Sequence, residues 1–294
     1  MEYFLQLLIA GIAIGGLYAL IAVGFVVIFK ATGVLNFAHG ELILVGAYMF
    51  YTFNSMLHIH FFLSFILTLC FSFVLALVIE HITIRPLLGE EAVSVIMLTI
   101  GISILIKAII VIIWGNDDKV LPHFFPTKSI EMFGIYLPVT YIYMLGSAVL
   151  FFLIVMFFFT FTKMGLAMRA TANNQNVALL MGINVESIFA FSWGLSAILA
   201  GVAGIFLSYI NMVSPYLGSI GLNLFPAVVV GGLDSILGGI IGGFLIGILQ
   251  NFAGGYLSEY LGGGLKEIVP FIILLLMLMI RPFGLFGKKE IERV

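Results

Sequence analysis

From Phe61 to Ile79 the chain runs 19 residues without a single charge. A run of that length matches the roughly 30 Å hydrocarbon core of a bilayer when coiled as a helix. Comparable runs cover 4–29, 92–113, 140–162 and 188–211, and a shorter one covers 265–280. Two further regions are apolar but interrupted. Residues 33–53 contain Asn36, His39 and Glu41, and 219–251 are cut by Pro226, Asp234 and many glycines. Of the 294 residues, 63% are hydrophobic and 9% charged. A soluble globular domain averages roughly 45–50% and about 25%. So few charges could not cover a soluble core of this size, which argues against a soluble enzyme or a disordered chain. The net charge of −2 leaves no basic footprint for nucleic acid. The fold class expected is all-α: a polytopic transmembrane helical bundle of about eight crossings, some broken or re-entrant, forming one domain over 1–294.

Charge placement orients the spans. The start, Met1-Glu2-Tyr3, lacks a positive n-region, so the first run reads as a retained span and not as a cleaved signal. Lys163 and Arg169 in the loop 163–187, Arg85 in 80–91, and Arg281, Lys288, Lys289 and Arg293 in the tail can all be cytoplasmic together. The loop 114–139, with Asp117, Asp118, Lys119, Lys128 and Glu131, then faces outside. The amino terminus is outside and the carboxyl terminus cytoplasmic. Segment 219–251 begins and ends outside, either as two short spans or as one re-entrant pair. The single cysteine, Cys70, allows no intrachain disulfide and reads as a small buried hydrophobe.

Glycine spacing points to close helix packing. Gly11 and Gly15 form one small-xxx-small pattern, and Gly238, Gly239, Gly242, Gly243 and Gly247 form overlapping ones. Such patterns let helix backbones approach in lipid, within the chain or against a partner subunit. There is also a weak internal echo. Gly16-Leu17-Tyr18-Ala19-Leu20-Ile21-Ala22 resembles Gly194-Leu195-Ser196-Ala197-Ile198-Leu199-Ala200; Leu35-Asn36 is echoed by Leu222-Asn223, and Ile84-Arg85-Pro86 by Ile280-Arg281-Pro282. The first pair of helices runs in opposite directions, which fits an inverted repeat as well as chance likeness among apolar helices.

Polar groups at membrane depth cost several kcal/mol unless satisfied, so each one carries information. The richest cluster is Asn36-Phe37-Ala38-His39-Gly40-Glu41. On a regular helix His39 and Glu41 would point about 200° apart, which makes them a poor metal pair. Three readings stand open: a broken helix lining a cavity, solvated groups at the cytoplasmic mouth, or catalysis. Asp234 and Ser235 read as a turn between glycine-rich stretches, and Asn223 and Pro226 break the helix before it. Lys107 either snorkels outward past Trp114 or pairs with a buried carboxylate.

The loop 163–187 has its own pattern. Asn173 or Asn174 makes a good helix N-cap and Gly182 a good C′ residue, with a helix of about two turns between them. Val177, Leu180 and Met181 share one face at i, i+3, i+4 spacing. A short cytoplasmic helix with an apolar face needs either a partner's groove or the membrane surface. No GxxxxGK[ST] is present, so the chain has no P-loop for ATP, and no nucleophile motif or carboxylate pair suggests an enzyme.

Gly33-Val34-Leu35-Asn36-Phe37-Ala38-His39-Gly40-Glu41, followed by Gly46-Ala47-Tyr48, resembles the signature of permease subunits of bacterial branched-chain amino-acid ABC importers. The likeness extends over nearly the whole chain. Gly165-Leu166-Ala167-Met168-Arg169-Ala170 and Met181-Gly182-Ile183 resemble that family's cytoplasmic loop, and Gly231-Gly232-Leu233-Asp234-Ser235-Ile236-Leu237-Gly238 its glycine-rich segment, with a departure near Leu233-Asp234. The resemblance implies a non-catalytic subunit of the inner membrane that forms half of a translocation pathway for hydrophobic amino acids. It implies a second homologous permease, two P-loop ATPases that use ATP and Mg, and an extracytoplasmic binding protein, with no cofactor on this chain and no nucleic acid. It makes the loop a coupling helix, with Arg169, Asn174, Val177, Ala178, Leu180, Met181 and Gly182 as the coupling set. Candidate pathway residues are Tyr18, Asn36, His39, Glu41, Asn223 and Asp234. Related urea importers share the fold, and a self-sufficient carrier or channel is the alternative.

Overall fold

A computed structural model describes residues 2–287, apart from 88–89, 123, 127–128, 133–134 and 263. The expectations that rest on Met1, Lys128, Lys288, Lys289 and Arg293 lie outside the described residues. The apolar runs coil as helices because lipid offers no partner to a bare backbone N–H or C=O. The long helices are α1 (Glu2–Thr32), α3 (Phe61–Ile79), α4 (Ala92–Trp114), α5 (Val139–Phe161), α8 (Val185–Asn211) and α11 (Ile236–Phe252). With the continuation of α3 to Leu87 and of α11 to Tyr260, these are six helices long and apolar enough to cross a membrane. The run at 265–280 is one 16-residue helix, α13 (Leu265–Ile280), with Pro270 inside it.

Both interrupted regions are broken in fact. After α1, residues 33–38 are irregular and α2 spans His39–Tyr51, with a π-helical turn to Met56. Region 219–251 is built from α9 (Leu217–Asn223), α10 (Phe225–Gly231) and α11, with Pro226 opening α10. The echoed Asn36 and Asn223 both sit at these breaks. Between α5 and α8 lie α6 (Lys163–Asn173) and α7 (Gln175–Leu180), and α12 (Ser258–Leu261) precedes α13. The loop 114–139 adds a small antiparallel hairpin, β1 (Ser129–Met132) with β2 (Ile135–Pro138), paired Ser129 to Pro138 and Ile130 to Leu137. Cys70 departs from expectation: it is exposed on α3. In an apolar, outward-facing helix a thiol is at ease in lipid, so burial in protein is not needed to keep it from water.

Where one domain over 1–294 is expected, the chain gathers into two compact units, each drawn from both halves of the sequence. One comprises Met1–Val26, Phe125–Val149 and Asn223–Val294, and the other Val27–Phe124 and Leu150–Leu222. In the first unit the glycine patterns meet each other. Gly11, Gly15 and Ala19 of α1 lie directly against Ile248, Phe244, Gly243 and Gly247 of α11, too close for added side chains. On another face of α11, Gly238 and Gly242 touch Gly231 and Ala227 of α10. These glycines are therefore spent inside the chain and not on a partner. α11 runs the length of this unit. At one end Asn251 Nδ2 donates to the Leu7 carbonyl (2.5 Å) and Tyr3 Oη to the Gly255 carbonyl (2.8 Å). At the other, beside the turn that precedes α11, Leu285 N–H donates to Val230 (2.9 Å) and Phe286 N–H to Gly231 (3.0 Å).

In the second unit α2 packs against α3, α4 and α8, and α8 against α3. Gly46 meets Gly201, and Gly204 meets the Ile43 carbonyl, so α2 and α8 cross backbone to backbone. One end holds Gln175 Nε2 donating to Ala31 O (3.2 Å) and the Arg85–Glu186 ion pair (3.3 Å). The opposite end holds the Lys119–Val213 bridge and Trp114 Nε1 donating to Thr52 Oγ1 (2.9 Å). Each pair joins segments that alternating spans place on the same side.

Candidate functional site

The polar motif is the first turn of a helix that starts inside the second unit. Gly33, at φ +72°, turns the chain out of α1. Asn36 Oδ1 then accepts the Ala38 N–H (3.0 Å), its carbonyl accepts the His39 N–H (3.3 Å), and Phe37 N–H donates to Thr99 Oγ1 of α4 (3.2 Å). The Ala38 carbonyl takes the N–H groups of Glu41 and Leu42. His39 has no exposed surface, and its Nδ1 pairs with Ser196 Oγ (2.9 Å) near the middle of α8. α2 therefore begins level with the middle of α8, as a broken helix does.

Three consecutive residues point in three directions. His39 meets α8. Gly40 lies against the Gly218 carbonyl and Gly221 of α9, where a β-carbon would collide with backbone. Glu41 lies in the first turn of α2, which packs against α4, the helix that carries Ser103 and Lys107. The divergence of His39 and Glu41 is what helical geometry requires of residues two apart. With His39 fully buried and Glu41 4% exposed, the reading that put both in solvent at the cytoplasmic mouth is corrected: packing by α4, α8 and α9 covers them.

Asn36, His39 and Glu41 thus share one turn. The other three pathway candidates lie in the first unit: Tyr18 buried in α1, Asn223 half-buried at the end of α9, and Asp234 half-buried in the turn before α11. That turn is closed by Ser235 N–H to Gly232 O (3.1 Å), and Ser235 Oγ caps α11 at Gly238 N–H (3.0 Å). Sequence reasoning passed over Thr99, Ser103 and Ser196. The signal was there: Thr99, Ser103 and Lys107 recur every four residues along an apolar helix, which is one face.

The loop 163–187 is an ordered, capped structure. Thr162 Oγ1 accepts the Gly165 N–H (2.9 Å), Asn174 Oδ1 the Val177 N–H (3.0 Å) and Asn184 Oδ1 the Ser187 N–H (3.1 Å), which caps α6, α7 and α8 in turn. α7 closes with Gly182 at φ +80°, its N–H on Leu179 O and that of Ile183 on Ala178 O. That is the Schellman arrangement, and it favours glycine at C′. Leu180 is 86% exposed and Met181 78%, and Val177 is exposed beside them. Leu179, not among the expected residues, is exposed too. Ala178, expected within the coupling set, is instead 2% exposed, on the side where α7 packs against α6 and α8. Arg169 lies exposed on α6.

Comparison with known proteins fits this architecture. The family description "Branched-chain amino acid transport system / permease component" matches residues 7–279. The high-affinity branched-chain amino acid transport system permease LivH of Escherichia coli K12 is 32% identical, covering 99% of this chain and 98% of its own. The permease BraD of Pseudomonas aeruginosa is 30% identical over the same shares, and a probable LivH of Methanocaldococcus jannaschii is 30% identical over 98% and 95%. Among solved structures, PsaBC from Streptococcus pneumoniae in complex with Fab superposes with a TM-score of 0.53 over 96% of this chain and 93% of that one, at 13% identity, a likeness of fold alone. This multi-pass helical membrane protein belongs to the permease-component family of branched-chain amino acid transport systems.

Proposed function

We propose that the chain forms half of the translocation pathway of an ATP-driven importer for branched-chain amino acids, and that α7 couples it to an ATPase. The observation that carries the reading is α7 itself: a short, doubly capped helix that presents Val177, Leu179, Leu180 and Met181 to solvent. Exposed apolar side chains on a rigid projection fit a partner's groove. The energy comes from outside the chain, from two P-loop ATPases using ATP and Mg. A second homologous permease completes the pathway, and an extracytoplasmic binding protein supplies tight, stereospecific recognition. The basic loop and tail face the cytoplasm of a cell whose inner membrane holds the chain, with the amino terminus outside. Because the permease must release what it admits, its own polar contacts are few and weak.

The test is leucine uptake into vesicles that carry the whole importer. Leu180→Asp with Met181→Asp leaves the chain in the membrane at normal abundance and abolishes ATP-driven uptake. Uptake at the wild-type rate in that variant sinks the coupling assignment. Affinity purification of the tagged chain from gentle detergent is the companion measurement. Recovery without any ATPase favours a carrier that works alone.

A further inference from the structure

We propose that Arg85 changes partners during transport, passing from Glu186 to the buried Glu80, and so carries the motion of α7 to α3. The proposal rests on the importer reading above and deepens it. Beyond Ile79, where α3 ends, Glu80–Ile84 form a π-helical turn and Arg85–Leu87 a 3-10 turn. On a regular α-helix, residues five apart diverge by about 140°. The π-turn is closed by the Arg85 N–H on the Glu80 carbonyl, and it brings the two side chains within ion-pair reach. Arg85 Nη1 lies 3.3 Å from Glu186 Oε2, and Arg85 Nε lies 4.0 Å from Glu80 Oε1. Glu80 has no exposed surface, and neither of its carboxylate oxygens has a hydrogen-bond partner. Arg85 Nε is buried without one as well. Buried charge left in that condition is costly. A charge-assisted hydrogen bond closes at about 2.7–2.9 Å, so this donor and acceptor stand about 1 Å short of the bond that both need.

Glu186 stands where α7 hands over to α8. It lies in the first turn of α8, which Asn184 caps through the Ser187 N–H (3.1 Å), and only three residues separate it from Gly182, the C′ residue of α7. α8 packs against both α7 and the π-turn. Arg85 and Glu186 are both partly exposed, so their pair opens at little cost. A push on α7 that displaces the first turn of α8 draws Glu186 away. Arg85 then closes on Glu80, where burial strengthens the attraction between the two charges. One arginine between an exposed and a buried carboxylate is a two-position element, and the end of α3 moves with the position taken.

The test uses the complete importer in vesicles, with leucine as the probe and leucine carried per ATP hydrolysed as the readout. Glu80→Gln keeps the size of the side chain, leaves the Arg85–Glu186 pair in place and removes the second position. Glu186→Gln removes the first. Each should lower leucine carried per ATP at least roughly threefold, at normal abundance and with a melting midpoint no lower than that of wild type. Glu186→Asp keeps the charge and should restore the ratio. A wild-type ratio in Glu80→Gln makes the pair a tie between two helices and overturns the proposal. A ratio that falls only in step with the melting midpoint overturns it too. If Glu80→Gln fails to assemble, Glu186→Gln decides, because that side chain is 53% exposed and its loss does not threaten folding. A wild-type ratio there overturns the proposal. Absence of ATP-driven leucine uptake by the unaltered importer overturns the importer reading instead.

Discussion

The first turn of α2 and the short helix α7 are opposites. Residues 36–41 carry three buried polar side chains, Asn36, His39 and Glu41, whereas 177–181 are apolar and largely exposed. In a chain that is 63% hydrophobic, an apolar residue at membrane depth says only that the residue is in a membrane. What informs is the residue at odds with its surroundings. At α2 the misfit is met in part inside the unit: Ser196 meets His39 and Thr99 meets the Phe37 amide, while Asn36 Nδ2 and Glu41 Oε2 are buried without a hydrogen-bond partner. At α7 none of the described residues covers Leu180 or Met181, and the caps at Asn174 and Gly182 spend hydrogen bonds on holding them out. One region is packed into its unit, and the other holds its apolar side chains away from the described residues.

Stability and uptake should therefore separate between the two regions. The largest effect belongs to the scaffold under α2. In Gly204→Leu the new β-carbon would overlap the Ile43 carbonyl, so α8 must move off α2, at about 3 kcal/mol or more. Thermal melting followed by size-exclusion chromatography should show no folded peak at the wild-type midpoint. Leu180→Asp, by contrast, should leave the melting curve within about 0.5 kcal/mol of wild type while abolishing uptake. If Leu180→Asp melts the protein and Gly204→Leu does not, the comparison is broken. Next comes Ser196→Ala, which removes the hydroxyl that pairs with the buried His39 Nδ1. A loss of about 1–3 kcal/mol is expected, read from the same melting curves. No change would mean that another group or a water takes that nitrogen.

Much of this was legible in one dimension because the physics is one-dimensional there. Long apolar runs must coil, so α3, α4, α5 and α8 fall within a few residues of those runs. Asn174 and Gly182 were legible because caps are local chemistry. The breaks at 33–38 and around Leu224 were legible from Asn36, Asn223 and Pro226. What was not legible depended on neighbours far along the chain. That Gly40 exists to let Gly218 and Gly221 approach, or that Ala178 faces inward while Leu179 faces out, follows from packing that no local pattern encodes. The division into two units is of the same kind: α1 has no local mark that assigns its residues up to Val26 to the company of α11.

The smallest expected effect sharpens the comparison most, because it touches presentation and not chemistry. Gly182 sits at φ +80° with open space where a β-carbon would go, so Gly182→Ala meets no clash and costs only backbone strain, about 1 kcal/mol. That strain can be relieved by fraying the last turn of α7, which frees the Ile183 and Gly182 N–H groups from Ala178 and Leu179. Hydrogen exchange at those two amides should speed up about fivefold while exchange in α8 and the global melting midpoint stay fixed. Uptake should fall in proportion to the fraction of time Leu180 and Met181 are out of position, with no change in their chemistry. If exchange quickens and uptake is untouched, the apolar surface of α7 matters without its geometry, and a rigid helix seated in a groove is the wrong description of how the two proteins meet.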